Sequence, residues 1–214
     1  MTLRRTDSPN VTASDHYPPG WHRWSRAVSA GAEPRQLGFA QPQARLNRFA
    51  ARFRVASAFE SVTLSTFHPA TEAGYGSIMR VALVWTAFEQ YLAALNGDQD
   101  TCLSWFAPHV PADAADYARS LDPGGKWFVT MYAWTKRRNS DQIDLFLRGQ
   151  SFNFTYLASS IRHLFFHGHL SPNARGADPI KVVQLCDFIA NVHLKGLAAD
   201  FDRRVVAFER GLPP

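Results

Sequence analysis

The chain reads as an all-α protein, and three observations carry that reading. An apolar-striped segment runs from Glu72 to Leu95, a second long one starts at Asp178-Pro179 and continues to about Arg210, and strand-like alternation is nearly absent. At 214 residues the chain can bury one substantial core. The expected organisation is a helical domain over residues 71–214, preceded by an irregular, partly helical, basic extension over residues 1–70.

Taken in order, residues 1–43 mix Pro, Ser, Arg and Gly without a sustained apolar period, as in YPPGWHRW, and read as an irregular arm. Trp21, Trp24 and Phe39 imply that parts of the arm dock, because a solvated tail seldom carries large aromatics. From Ala44, Leu46, Phe49 and Phe53 fall at helical spacing, with Arg45, Arg48 and Arg52 on the other side. In the Glu72–Leu95 segment Ile78, Val81, Val84, Trp85, Phe88, Leu92 and Leu95 make a core-facing stripe of about 120°, closed by Asn96-Gly97. Glu89 sits at the edge of this stripe, where an unpaired carboxylate is costly and a cationic partner is expected.

Residues 97–141 are turn-rich, and WFVTMYAW within them is ambiguous between helix and strand. Ser140-Asp141 offers an N-cap for QIDLFLRG, and Ser151 one for a helix over residues 152–167. Asp178-Pro179 is a cap with proline at the first helical position, and Gly196 is a candidate bend in the helix it starts.

The opening MTLRRTDSPN lacks a signal-peptide core, and no window approaches ~18 continuous apolar residues, so the expectation is a cytoplasmic protein with no membrane partner. Cys102 and Cys186 form no CxxC pair and read as buried thiols. The net charge of +5 is carried by 19 arginines against four lysines. Arginine's planar fork suits phosphate, which points to an anionic partner, although an arginine-rich coding bias gives the same composition.

The stretch SIRHLFFHGHL, Ser160 to Leu170, places Arg162, His163, His167, Gly168 and His169 at the end of an otherwise apolar helix. Leu157, Ala158, Ile161, Leu164 and Phe165 form its core side. Tyr156, Ser159, Ser160, Arg162, His163 and His167 share the other face, with Phe152 and Phe166 among them. Gly168 suits the left-handed residue just past a helix, which puts His167 at the C-terminus, where the helix dipole favours a cation. A purely structural reading is open: the histidines satisfy terminal carbonyls and Arg162 pairs with Glu89. A zinc reading is also open, since His163 and His167 stand at the i, i+4 spacing of zinc-binding helices with His169 as a third ligand, but the glutamate of H-E-x-x-H is missing.

Arg162-His163-Leu-Phe-Phe-His167-Gly168 resembles the R-x-x-x-x-H motif of the HEPN superfamily, small all-α domains in which a polar residue often follows the arginine and a glycine the histidine. AFEQYLAAL resembles that family's first long helix, from which Glu89 could face the motif. The resemblance spans residues 72 to about 210 and implies a HEPN-like helical bundle. It further implies a metal-independent endoribonuclease with no cofactor, acting as a homodimer whose motif helices meet on the two-fold axis. Under it His167 is the acid/base, Arg162 the clamp on the phosphorane, His163 a secondary proton carrier and Glu89 the anchor of Arg162. Tyr156, Ser159 and His169 are the candidate substrate-binding residues, and Phe152 and Phe166 the apolar dimer contacts. RNA would be the partner and a 2′,3′-cyclic phosphate the product end. The setting implied is a toxin with a separately encoded antitoxin, or a phage-defence effector. The alternative is a non-catalytic HEPN-like module that binds nucleotide or RNA or organises a dimer.

Overall fold

The computed structural model describes residues 16–213, so the opening MTLRRTDSPN lies outside them. The protein is all-α: 69% of the described residues are helical, and no strand forms among them.

The centre is α3 (Pro69–Leu95), which packs against α2 (Gln43–Ala58), α8 (Thr155–Phe166) and α9 (Pro179–Glu209). Its apolar stripe is buried as the periodicity predicts, from Ile78 through Phe88 to Leu92. By length and composition α3 could cross a membrane, but 56% of its most apolar window is buried inside this fold. The helix starts three residues earlier than the sequence suggested, because Pro69 occupies the first turn and the His68 side chain accepts the Ala70 N–H. It ends as expected, with Asn96 in the left-handed conformation. Asp178 caps α9 by accepting the Ile180 N–H, also as expected.

Gly196 lies inside α9, which runs unbroken to Glu209. It is glycine because a Cβ there would sit 2.8 Å from the Phe106 ring. That ring enters the core from the insertion between α3 and α8, at the end of α4 (Leu103–Phe106).

The N-terminal arm departs from the irregular chain its composition suggested. Residues Trp21–Ser29 form α1, and Arg23 reaches both Asp202 and Glu209 on α9. Trp24 is fully buried against Phe208, and Leu37 and Phe39 enter the same apolar core as α3 and α9. This docking is held by a buried charge network. Asp200 accepts from Tyr91, Arg203 and Arg204, and Arg204 donates onward to the Leu37 carbonyl. Burial alone would raise the Asp200 carboxyl, but the Arg204 charge and these hydrogen bonds outweigh it and hold it below the usual range. Proline and glycine obscured the helix, while long-range packing of Trp21 on Phe201 and of Trp24 on Phe208 specified it.

The insertion also holds α5 (Ala114–Ser120), α6 (Lys126–Trp134) and α7 (Arg138–Leu147). The ambiguous WFVTMYAW is α6. Buried Asp122 accepts the Trp127 and Phe128 N–H groups, a cap no strand could use. Helix α7 begins two residues before the expected Ser140 cap, at a chain reversal through Arg137. Both cysteines are free and buried, and burial pushes the Cys102 thiol up to about 12.

Candidate active site

Helix α8 presents the motif. Leu157, Ala158, Ile161 and Leu164 are fully buried on its core side. It begins at Thr155 rather than at residue 152, because Asn153, not Ser151, organises its start. The Asn153 side-chain Oδ1 accepts the Thr155 N–H and hydroxyl, and its Nδ2 donates to the Gln99 carbonyl at 2.6 Å. The far end follows the sequence reading. His167 is the C-cap residue, Gly168 has φ 72°, and the His169 N–H returns to the Leu164 carbonyl at 2.9 Å.

Between α3, α8 and the turn joining α6 to α7 lies a groove of about 410 Å³, lined by Glu89, Arg162, His163, Ser159, Lys136 and Arg137 among others. Glu89 is the one carboxylate in that lining. Its Oε2 lies 3.9 Å from the Arg162 guanidinium, within the reach expected from its place on the stripe. This is the outer limit of an ion pair, and both side chains are more than a third exposed, so it contributes little to stability. Arg162 has no hydrogen bond at its buried Nε and otherwise rests over the Phe166 ring at 5.8 Å. Arg204 makes the contrast: 11% exposed and bonded to Asp200 and Leu37, it is committed to structure, whereas the Arg162 fork is open to an anion.

The His163 and His167 rings stand 4.5 Å apart on the exposed end of α8. Partial desolvation, then the His167, Arg162, His169 and Lys136 charges, hold His163 below the ordinary histidine value. A neutral His163 ring can accept a proton. His169 stacks on Trp134, ring centroids 4.5 Å apart and planes within 4°.

Two expected substrate contacts are placed differently. Tyr156 is 3% exposed and its phenol donates to Asp100, so it faces protein rather than the groove. Ser159 lines the groove but is nearly buried, its hydroxyl accepting from Asn139 at 2.8 Å. Insertion residues cover this half of α8, which a helical wheel cannot show. Phe152, expected on a dimer surface, is half-buried against Phe146 at 5.0 Å, while Phe166 is 57% exposed. Among the described residues no group of three or more His, Cys, Asp or Glu could hold a metal ion, and His169 is turned to Trp134.

The sequence reading missed Trp134, Lys136, Arg137 and Asn139. The run WTKRRN carried a signal, an aromatic beside a basic cluster, of the kind that contacts nucleic acid. Arg137 has φ 55° and ψ −136°, a conformation that costs a non-glycine residue about 1–3 kcal/mol. It turns the chain so that Lys136 and Arg137 line the groove.

Two other places in the fold hold polar groups that are already committed. A groove of about 340 Å³ between the α2–α3 connection and α9 contains Arg80, but that side chain is bonded to Asp187 and Asn191. His193 is lowered to about 4 by burial among aromatic rings, and its Nδ1 donates to the Ile189 carbonyl, so it is a core residue without access to solvent. No protein-family model, curated protein or solved structure matches the chain.

Proposed function

We propose that this protein is a metal-independent endoribonuclease of HEPN type, cutting RNA by attack of the RNA's own 2′-hydroxyl on the adjacent phosphorus. The observation that carries the reading is the Arg162 fork at a basic groove, with one long ion pair to Glu89 and the His163 and His167 rings beside it on the same helix end.

The residue types match the demands of the reaction. A base must take the 2′-hydroxyl proton, an acid must protonate the departing 5′-oxygen, and a cation must offset charge on the phosphorane. His167 is the leading acid/base, His163 serves as proton acceptor or orients the substrate, and Arg162 stabilises the phosphorane. Phosphorus gains the bond to O2′ and loses the bond to O5′, leaving a 2′,3′-cyclic phosphate and a free 5′-hydroxyl. One chain offers this set once, and a homodimer meeting through α8 and the exposed Phe166 would bring a second His167 to the same phosphate.

Purified protein incubated with RNA in EDTA tests the reading. The expected result is cleavage with cyclic-phosphate ends and no cutting of DNA. If no RNA is cut with or without added metal, the protein is instead a binding or assembly module built on the same helix face.

A further inference from the structure

We propose that Trp134, backed by His169, is a stacking platform for an unpaired base of single-stranded RNA whose backbone enters the Arg162 groove. The proposal rests on the endoribonuclease reading and names the form of RNA that the site accepts.

Three observations carry it. Trp134 is 53% exposed, whereas Trp24 and Trp127 are fully buried and Trp85 nearly so. Its indole is also held in place. The His169 imidazole lies parallel to it at 4.5 Å, and His169 is fixed by the turn through Gly168 that ends the motif helix. The stack therefore ties the indole to the end of the motif helix. Finally, Lys136 and Arg137, two and three residues beyond the indole, line the groove with Arg162 and make no salt bridge among the described residues. The next residue, Arg138, is paired with Asp100, so the basic run divides into a structural part and an uncommitted part.

An exposed indole beside uncommitted cations matches the stacking-plus-charge arrangement that binds single strands without reading sequence. The backbone phosphates would follow Lys136 and Arg137 towards the scissile position at Arg162 while one base lies on Trp134. A duplex cannot use the platform, because its base faces are already stacked on one another.

The probe is a short 2′-O-methylated oligouridylate, which lacks the attacking hydroxyl and whose bases stack weakly on each other. It is titrated into the full-length protein by anisotropy and tryptophan quenching, alone and as a duplex with its complement. Trp134→Ala should weaken single-strand binding roughly tenfold and abolish most of the quenching, and Trp134→Phe should recover most of the affinity. Duplex binding should not change. An abasic residue in the probe should weaken binding to the wild type but not to Trp134→Ala. Equal binding by wild type and Trp134→Ala overturns the platform, as does an equal abasic loss in both or no binding by the wild type. Cleavage of unmodified RNA, measured in parallel, separates the two proposals. Cleavage dependent on Arg162 and His167 without Trp134-dependent binding sinks only the platform, and Trp134-dependent binding without cleavage sinks only the nuclease.

Discussion

In the first turns of α8, Thr155, Tyr156, Ser159 and Ser160 are buried, and each hydroxyl has a protein partner in Asn153, Asp100 or Asn139. In its last turn and just beyond, Arg162, His163 and His167 are open or half-open to solvent and share one long ion pair. Both sets lie on the same side of a helical wheel. The difference is what covers them: residues 97–102 and α7 close over the first half and stop short of the second. A polar face is a place for chemistry only where nothing in the fold has already satisfied it.

The sharpest way to break that comparison is to remove the open end. Arg162→Ala and His167→Ala should each lower RNA cleavage at least roughly 100-fold, the scale for losing one acid/base group or one charge-stabilising donor. Circular dichroism and RNA affinity should change far less, because the loss is in the transition state. Wild-type rates in either variant would remove the case for the open end as a catalytic site.

The covered end should respond in stability instead. Asn153→Ala removes the acceptor for Thr155 and the donor to Gln99 in a buried position, which costs about 1–3 kcal/mol. Denaturant melts should show that loss, with the cleavage rate of the folded protein unchanged. A rate loss without a stability loss would place Asn153 in the site and erase the division between the halves.

Glu89 tests the boundary between them. Glu89→Gln should change stability by less than ~1 kcal/mol and cleavage by less than about tenfold, because a half-exposed pair at 3.9 Å is worth little and ~1.4 kcal/mol is a factor of ten. A loss as large as that of Arg162→Ala would mean that Glu89 itself handles protons.

A smaller effect concerns His163. Its ring should titrate below 6.5 by NMR, since desolvation and the neighbouring cations both disfavour the charged form, and Lys136→Ala should move the value part of the way back up. The neutral ring thus persists to lower pH than in a free histidine. A titration above 6.5 would show that the ring meets a carboxylate instead. The smallest expected change is in Tyr156→Phe, where losing a 3.5 Å hydrogen bond should alter stability by about 0.5 kcal/mol or less and leave RNA affinity as it was.

Local chemistry made much of this legible in the chain. The Ile78 to Leu95 stripe, the Asp178-Pro179 start and the Gly168 stop each depend on residues within a few positions of one another. Helix α1 and the docking of the segment after it were obscured because Trp24 and Phe39 find their partners on α9 and α3, across more than fifty residues. Asn153 displaced Ser151 as the organiser of α8 because its amide also reaches the Gln99 carbonyl, a partner no local pattern contains.

The sequence by itself determined that Arg162, His163 and His167 stand together at the end of one helix, because a fixed rise and turn per residue converts spacing into position. Only the tertiary structure decided that Tyr156 and Ser159 are covered, that Glu89 stops 3.9 Å short of the Arg162 guanidinium, and that Trp134 meets His169. Those outcomes join segments tens of residues apart. Which of them meet is settled by how the whole apolar surface is buried, a quantity no single stretch of chain contains.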